Sequence, residues 1–317
     1  MNLYQRTLFF MLNNVVPKCN NAYITCSNRA DGMGAQAHAI YSAMVYAKVS
    51  KSRYLHSSLK RVDHNYEEDN SWEKKIEDYF SFIEEKNSSN EDNKVWDQAM
   101  IVNLNDLFSM LRFVFLFFLI SKERAVIFKK EHYHEYPEIF PEEYGLIAKD
   151  IRHQFMSNKR SYKTFSGNKN LFIVCHVRRG DVSEQIPKRF TDNDTIEKRI
   201  LRLVEFLKLH NISYSLHFVS QGKEKDFGAL SKYGEFHLNG SPFIDFYNMV
   251  EADVLIMSKS SFSYTAALLS EGIIFYELFW HNPLPNWFDM DTEIFKSEKF
   301  QNLIFRKYQS IQDTPGS

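Results

Sequence analysis

The chain has 317 residues, a formal net charge of −1 at pH 7 and 44% hydrophobic residues. This length allows one large or two modest globular domains and excludes a small scaffold stapled by disulfides. The near-zero charge gives no general attraction to nucleic acid, so no nucleic-acid partner is expected and any anion site must be local. The three cysteines form no C-x-x-C pair, which predicts neither a zinc site nor a disulfide framework and favours a reducing cytosol.

The first predicted unit is a strand, a glycine turn and a helix. The strand covers Ala22 to Thr25, Gly32 and Gly34 permit a tight turn, and small and apolar residues then run at helical spacing from Ala35 to Lys48. Such a unit can bind a ligand at the turn. A lone G-x-G is also compatible with a purely structural turn, and both interpretations stay open on these residues alone.

The next part of the chain carries few chemical signals. Residues 51–93 are charged and irregular, with an amphipathic helix predicted at Trp72 to Phe82. Leu107 to Ile120 is strongly apolar, but it contains Arg112 and is shorter than the roughly 20 residues that a membrane-spanning helix needs. We interpret it as a buried helix, with contact to a membrane surface as the less favoured alternative. No signal peptide or membrane anchor is expected, and a cytoplasmic location follows.

Two patterns suggest a metal ion, and we interpret neither as a metal site. His132 and His134 form an H-x-H pair, but no third ligand follows at a recognisable spacing. Asp289 and Asp291 spell a D-x-D motif, but they do not follow a clear strand. No metal ion and no other cofactor is therefore predicted.

Domain boundaries are predicted from changes in composition. A helix from Glu142 to Asn158 leads into a polar stretch, and the boundary is placed at residue 160. This gives an N-terminal α/β domain at 1–160, a second α/β domain at 161–285 and a C-terminal extension at 286–317. The tail beyond Lys307 is expected to be unstructured.

The most informative stretch is Asn170 to Asp181, N-L-F-I-V-C-H-V-R-R-G-D. Its apolar run from Leu171 to Cys175 predicts a strand that is buried on both faces of a parallel sheet. The polar residues that follow are His176, Arg178, Arg179 and Asp181. Loops at the carboxyl ends of parallel strands line ligand crevices, so two adjacent guanidinium groups there predict an anion site, with a nucleotide diphosphate as the natural candidate. The alternative is an exposed basic pair that Asp181 balances.

Beyond this stretch, strands and helices alternate. A helix is predicted to begin at Asp194, and its apolar face carries Ile196, Ile200, Leu203, Val204 and Leu207. Strands are predicted at Tyr214–Val219, Glu235–Leu238, Asp253–Met257 and Ile273–Leu278, with a helix at Phe243–Ala252. This rhythm is typical of a doubly wound parallel sheet.

A hydroxyl-rich turn lies between a buried strand and a helix within Val250 to Ser270. Ser260, Ser261 and Ser263 are placed to direct hydroxyl and amide groups at an anion over the amino end of that helix. Ordinary helix capping is the simpler interpretation of the same pattern.

Three of these stretches resemble the fucosyltransferase superfamily. H-V-R-R-G-D, from His176, resembles the H-x-R-R-x-D signature of that superfamily. G-M-G-A-Q-A-H, from Gly32, resembles the G-x-G-x-Q-x-H element of α-1,6-fucosyltransferases, with Ala35 where other members have an asparagine. S-K-S-S-F-S, from Ser258, resembles the S-x-S-S-F-S segment of α-1,2-fucosyltransferases. The resemblance covers roughly residues 27–48, 170–182 and 250–270.

The resemblance implies a GT-B-like α/β fold with two facing Rossmann-like domains. It further implies an inverting, metal-independent glycosyltransferase with a nucleotide-sugar donor in the carboxyl-terminal domain and a glycan acceptor in the cleft. The implied donor is GDP-fucose, and a related enzyme with another donor, such as UDP-xylose, stays open. Two other classes also stay open: a non-catalytic protein that binds a nucleotide or sugar, and a structural α/β module without a ligand.

The resemblance also implies roles for single residues. Arg178 and Arg179 would bind the donor diphosphate, with Arg178 acting in catalysis. Asp31, which matches in type the catalytic glutamate of protein O-fucosyltransferases, would be the base that takes the acceptor proton, and a turn or cap residue is its alternative. Asp181 is expected to orient an arginine or to close the turn, with a role as base as the lesser alternative. The other predicted substrate-binding residues are Gly32, Gly34, Gln36, His38, His176, Ser260, Ser261 and Phe262.

Overall fold

Parallel β-sheets organise both halves of the chain in the computed structural model, which describes residues 3–26, 30–65, 69–82, 95–117, 124–133, 141–157, 159, 162, 164–165 and 169–313. The chain divides into two compact units, Met1–Asn158 and Lys159–Ser317. Each unit has its own sheet, so the predicted α/β class with two Rossmann-like units is confirmed. The division lies near the expected boundary, and residues 286–317 belong to the second unit.

The first unit begins with α1 (Leu3–Phe10) and a short irregular helical stretch. It continues through β1 (Ala22–Cys26), α2 (Met33–Val49), β2 (Arg53–Tyr54), α3 (Trp72–Phe80), β3 (Met100–Asn103), α4 (Leu107–Leu116), β4 (Val126–Lys130) and α5 (Pro141–Ser157). The strands pair in the order β2-β1-β4-β3, and every pair is parallel. β1 and β4 form the centre of this sheet, where Ile24 and Ile127 are fully buried.

Helix α4 is less buried than the sequence suggested. Asp106 caps it by accepting hydrogen bonds from the amides of Phe108 (3.1 Å) and Ser109 (2.9 Å). Met110 and Phe113 point into the core, whereas Phe108 and Phe115 are 74% and 82% exposed. The interpretation as a buried helix is therefore correct for one face only, because the other face of this short helix does not pack on the sheet. Its predicted end at residues 118–120 lies outside the described residues. No helix in the described ranges is both long and apolar enough to cross a bilayer.

The second unit has a larger sheet. Its elements are β5 (Leu171–Val177), α6 (Asn193–Leu209), β6 (Tyr214–Ser220), β7 (Glu235–Leu238), α7 (Pro242–Glu251), β8 (Val254–Ile256), α8 (Ser261–Leu269), β9 (Ile273–Tyr276), β10 (Phe288–Asp289) and α9 (Glu298–Asp313). The strands pair in the order β10-β9-β8-β5-β6-β7, all in parallel. The predicted doubly wound parallel sheet is confirmed.

The strand order of the second unit reverses direction at β5. From β5 the chain moves outward through β6 to β7, and it then returns to place β8 on the other side of β5. The loops that follow β5 and β8 leave the same edge of the sheet toward opposite sides. A crevice opens between such loops, and ligands of doubly wound folds bind there.

Helix α6 starts slightly earlier than predicted. Asp192 is the capping residue, since its Oδ1 accepts a hydrogen bond from the amide of Thr195 at 2.7 Å. The predicted apolar face is confirmed, because Ile200 and Leu207 are fully buried against the sheet. Position 194 lies in the first turn, where an aspartate is favourable to the helix dipole without being the cap.

The carboxyl-terminal helix α9 corrects the expectation of an unstructured tail. It continues to Asp313, with Phe300 and Ile304 fully buried in the core of the second unit. Tyr308 lies 2.9 Å from Ser213, Oη to Oγ, and Lys307 pairs with Asp253 at 3.2 Å. The apolar residues recur at a spacing of four, which is a helical pattern that composition alone hides.

Replacing Phe300 with alanine should strongly destabilise the second unit. The side chain is fully buried, and deleting such a ring removes its burial and leaves a cavity, which costs about 3–5 kcal/mol. Phe305→Ala is the matched control on the same helix, because Phe305 is 36% exposed and should cost clearly less. Urea unfolding of both variants measures the difference, and equal losses would show that α9 does not pack as described.

Candidate functional site

A tight loop follows β5 and carries the paired arginines. Gly180 has a φ of 86°, a left-handed conformation that glycine adopts without strain. A Cβ atom at this position would also lie 2.1 Å from Oε1 of Gln221, a flexible side chain. The chain therefore turns sharply between Arg179 and Asp181.

Arg178 is held from two sides at the carboxyl end of β5. Its Nε and Nη2 donate to the two carboxylate oxygens of Asp181 at 3.3 and 2.7 Å, and its Nη1 donates to the carbonyl of Lys259 at 3.4 Å. The expectation that Asp181 orients an arginine is confirmed. A guanidinium has five N–H donors, so one hydrogen each on Nη1 and Nη2 has no acceptor among the described residues. Arg178 is thus oriented and still able to bind an anion.

Arg179 has different surroundings. Its Nη2 donates to the carbonyl of Thr191 at 3.0 Å and to Oδ1 of Asn193 at 2.7 Å, and its guanidinium carbon lies 4.4 Å from the centre of the Phe190 ring. Burial lowers its pKa from the ordinary arginine value. These contacts tie the arginine loop to the start of α6, so Arg179 braces the loop.

The turn after β8 lies against the arginine loop. The hydroxyl of Ser258 is 2.8 Å from Nδ1 of His176 on β5, although these residues are 82 positions apart in sequence. Ser260 accepts a hydrogen bond from the amide of Phe262 at 3.2 Å and caps α8, which confirms the capping interpretation for this serine. The Phe262 ring packs edge-on against His176, with centroids 5.6 Å apart. Two predicted motifs therefore meet at the reversal of strand order.

His176 is kept uncharged in this setting. Burial, and then the nearby positive charge of Arg178, lower its pKa to about 3. A neutral imidazole can share one hydrogen bond with Ser258, and it adds no positive charge to the loop. His176 therefore joins β5 to the turn after β8.

A charged network that the sequence analysis missed lies behind the arginine loop. The carboxylate of Glu277 is buried and accepts from Nη1 of Arg199 at 2.8 Å and from the hydroxyl of Thr191 at 2.7 Å. The ammonium of Lys259 is 3.9 Å from the same carboxylate. Glu277 directly follows β9, so its place at the carboxyl end of a predicted strand was a signal that could have identified it.

Both carboxylates of the D-x-D motif accept hydrogen bonds from other groups of the protein. Asp291 accepts from Nε of Arg199 at 2.8 Å and forms a second contact to Nη2, and these bonds lower its pKa. Oδ1 of Asp289 accepts from the amide of Asp291 at 2.8 Å. Both carboxylates thus brace the structure around β10.

A cleft of about 570 Å³ lies beside the arginine loop. Its lining includes Arg179, Gly180, Phe190, Gln221, Gly222 and Asp226. These residues follow the carboxyl ends of β5 and β6 or precede α6. The volume is within the range of about 300–1,000 Å³ that small-molecule pockets have.

The first unit places its predicted residues on and before α2. Gly32 is the capping position of α2, and a Cβ atom there would lie 2.8 Å from Cδ2 of His64, so a larger residue would displace the exposed His64 ring. Gln36 is buried and donates from Nε2 to the carbonyl of Arg61 at 3.3 Å. His38 is fully buried, and Gly34 is buried as well. The side chain of His38 lies in the core because this helix packs on more than one side, and its binding of substrate stays a prediction.

Asp31 lies half-buried one residue before the cap of α2. Its carbonyl accepts a hydrogen bond from the amide of Asp63 at 3.2 Å. Gly32 occupies the capping position, so Asp31 is not the cap residue. Residues 27–29, which connect it to β1, lie outside the described ranges. Its role as base stays a prediction.

No protein-family model and no curated protein matches the sequence. The structure is similar to a crystal structure of the fucosyltransferase NodZ from Bradyrhizobium, with 12% identity over 80% of this chain and 94% of that chain and a TM-score of 0.35. It is also similar to a crystal structure of POFUT1 in complex with GDP, with 11% identity, coverage of 80% and 95%, and a TM-score of 0.37. These scores are too low to assign a function, which must come from the residues themselves.

Replacing His176 with asparagine should reduce the loss of unfolding free energy that occurs as the pH falls below about 6.5. The folded-state pKa is lowered to about 3, so below pH ~6.5 the unfolded chain binds a proton that the folded chain does not. Wild-type stability should therefore fall as the pH drops from 6.5 toward 3, and this part of the slope should be missing in His176→Asn. Urea midpoints between pH 7.5 and 5 give the slopes, with the exposed His210→Asn as control. Parallel curves for His176→Asn and wild type would contradict the lowered pKa of His176.

Proposed function

We propose that this chain is a glycosyltransferase that transfers a sugar from a nucleotide-sugar donor to a hydroxyl group of a glycan acceptor. One observation carries the proposal: Arg178 donates a hydrogen bond to the carbonyl of Lys259, in the turn before α8. This contact lies where the strand order of the doubly wound sheet reverses. This is the place where such sheets bind phosphorylated ligands. The sequence resemblance to fucosyltransferases falls on the same residues.

The proposed diphosphate site combines a guanidinium with a helix terminus. Two N–H donors of Arg178 have no acceptor among the described residues, and guanidinium groups bind phosphate oxygens in a bidentate manner. The first amides of α8, from Ser261 onward, lie at the positive end of a helix dipole. Together these groups would neutralise a diphosphate without a metal ion.

The nucleoside is proposed to occupy the cleft beside Gly180. The cleft is continuous with the arginine loop, because Arg179 and Gly180 form part of its lining. Phe190 offers an aromatic surface there, and Asp226 and Gln221 offer hydrogen-bond acceptors. In this arrangement Arg179 is a positioning residue, since its contacts to Thr191 and Asn193 hold the loop.

The proposed reaction is an inverting displacement at the anomeric carbon. The carboxylate of Asp31 takes the proton of the acceptor hydroxyl, and the oxygen attacks the anomeric carbon on the face opposite the diphosphate. The bond between that carbon and the diphosphate oxygen breaks, and the nucleoside diphosphate leaves with the electron pair. Arg178 would stabilise the negative charge that develops on the leaving group.

GDP-fucose is the proposed donor, on the sequence resemblance to fucosyltransferases. UDP-xylose is the second candidate, because the cleft residues do not distinguish a purine from a pyrimidine.

We also propose that the protein works in the reducing cytosol, in keeping with its three free cysteines. A protein that binds the nucleotide without catalysis is the rival from another class.

Arg178→Ala should weaken GDP binding by at least tenfold. A hydrogen bond to a charged group contributes about 1.5–3 kcal/mol, and the variant removes such bonds together with the charge. Arg178→Lys should recover only part of the loss, because an ammonium cannot bind in a bidentate manner. Calorimetry against GDP and UDP, with and without EDTA, measures the affinities.

The exposed Arg306→Ala on α9 is the matched control for the Arg178 variants and should bind GDP like wild type. Preference for UDP would keep the anion site and replace the donor. Failure of wild type to bind either nucleotide at millimolar concentration would overturn the proposed function.

Asp31→Asn should abolish turnover and leave donor binding intact. A positioned general base contributes typically about 10²–10⁴-fold to the rate, and asparagine keeps the shape of the side chain without its basicity. Release of GDP from GDP-fucose, with and without a glycan acceptor mixture, reports turnover. Asp63→Asn, a neighbouring carboxylate, is the control and should remain active. Full activity of Asp31→Asn would remove Asp31 as base, and a wild type that binds GDP but never turns over would favour the non-catalytic rival.

A further inference from the structure

Three potential metal ligands converge on β6 and the edge strand β7. His217 lies opposite Glu235 in the register of the two strands, and His237 follows two residues later on the same face of β7. Nδ1 of His217 and Nε2 of His237 are 3.0 Å apart, and Oε2 of Glu235 lies 3.8 Å from Nδ1 of His217. The three ligand atoms all lie within 4.8 Å of one another.

Aromatic residues hold both imidazoles in place. The Phe165 ring stacks on His237 with centroids 3.6 Å apart and an interplanar angle of 1°. Phe172 packs edge-on against His217, with centroids 5.5 Å apart. The amide of Phe165 donates to Oδ1 of Asn248 on α7 at 2.7 Å, which fixes the stacking residue itself. The ligand nitrogens are therefore oriented before any ion arrives, and this lowers the entropy that binding must overcome.

We propose that His217, Glu235 and His237 form a binding site for a divalent transition-metal ion, Zn²⁺ or an ion of similar chemistry. Zinc binds imidazole nitrogen at about 2.0–2.1 Å, which places two such nitrogens roughly 2.9–3.4 Å apart on one ion. The observed separation of 3.0 Å already falls in this range. Imidazole and carboxylate together suit zinc, nickel and copper better than calcium or magnesium.

The burial of the three groups indicates an open site. His217 is buried, His237 is half-buried and the side chain of Glu235 is 69% exposed. The carboxylate can therefore rotate toward the ion, and water would fill the remaining coordination positions. An open site of this kind exchanges its ion with the solvent more readily than a closed structural zinc site.

Nδ1 of His217 and Nε2 of His237 share a hydrogen bond, so one of these two nitrogens carries a ring proton. Ligation through both nitrogens places the ring protons on the other nitrogen of each imidazole. Nε2 of His217 is buried and has no hydrogen-bond partner among the described residues. The site thus lacks one of the outer contacts that tighten metal ligands, and we expect moderate affinity.

Metal binding would link β7 to β6, the strand that leads into the cleft beside the arginine loop. β6 runs into Gln221 and Gly222 of the cleft, and β7 ends at Leu238. The next residue, Asn239, exchanges two hydrogen bonds with Gly222, at 2.9 and 2.8 Å. An ion on His217 and His237 would reinforce this connection. The inference is independent of the proposed function, since it concerns the edge of the sheet and not the reaction.

The test is calorimetric titration of chelator-treated protein with Zn²⁺, together with the visible absorption of bound Co²⁺. Wild type should bind one ion at this cluster and unfold at a higher temperature in its presence, because the ion binds only the folded state. His237→Gln should weaken this binding at least tenfold, and Glu235→Gln should weaken it less. His210→Gln, an exposed histidine on the end of α6, is the matched control and should retain wild-type binding.

Two results would overturn the site: no zinc binding by wild type at sub-millimolar concentration, or equal affinity in wild type and His237→Gln. Metal-free melting temperatures of the variants separate loss of the ligand from loss of the fold. If His237→Gln is unstable without metal, the Co²⁺ spectrum of Glu235→Gln decides. Loss of the carboxylate ligand changes the spectrum of a cobalt ion bound at this site and leaves the spectrum of a cobalt ion bound elsewhere unchanged.

Discussion

The contact between His176 and Ser258 is the interaction on which the site in the second unit depends. It joins the carboxyl ends of β5 and β8, two strands that are neighbours only because the chain crosses back after β7. Arg178 reaches the carbonyl of Lys259 through the same junction. Without this crossing, the paired arginines would be an ordinary exposed basic pair. With it, a guanidinium and a helix amino end point to one crevice.

The charges around this junction divide into two groups with different consequences. Arg199, Glu277 and Asp291 are largely satisfied by one another, so they stabilise the wall behind the loop and have little capacity left for a ligand. Arg178 is paired with Asp181 near the surface and keeps N–H donors available. A bound diphosphate would meet a guanidinium that is already oriented, and such preorganisation is what makes electrostatic stabilisation effective in an active site.

In the first unit, too, a central strand is followed by a turn and then by a helix. β1 lies between β2 and β4 in its sheet, and the turn with Asp31 and Gly32 follows its carboxyl end. The helix behind this turn, α2, is rich in alanine and buried along most of its length, which fixes the position of the turn. Gln36 and His38 serve this packing, and Asp31, just before the helix, stays half-buried. Most residues within α2 are therefore buried in the core, whereas Asp31, which precedes the helix, stays partly exposed.

The amino-acid sequence by itself determined the strands of the second unit from β5 to β9 and the polar residues that follow them, but neither β10 nor the length of α9. The apolar run before His176 and the helical spacing from Ile196 to Leu207 are local patterns, and local patterns reflect burial directly. Only the tertiary structure decided which elements are neighbours, because strand order depends on contacts between positions far apart in the chain. The sequence therefore indicated the arginine loop and the serine turn separately, while it missed the Arg199–Glu277 network, the pairing of His217 with His237 and the burial of His38. Each of these arises where distant segments pack together, and no short pattern records that.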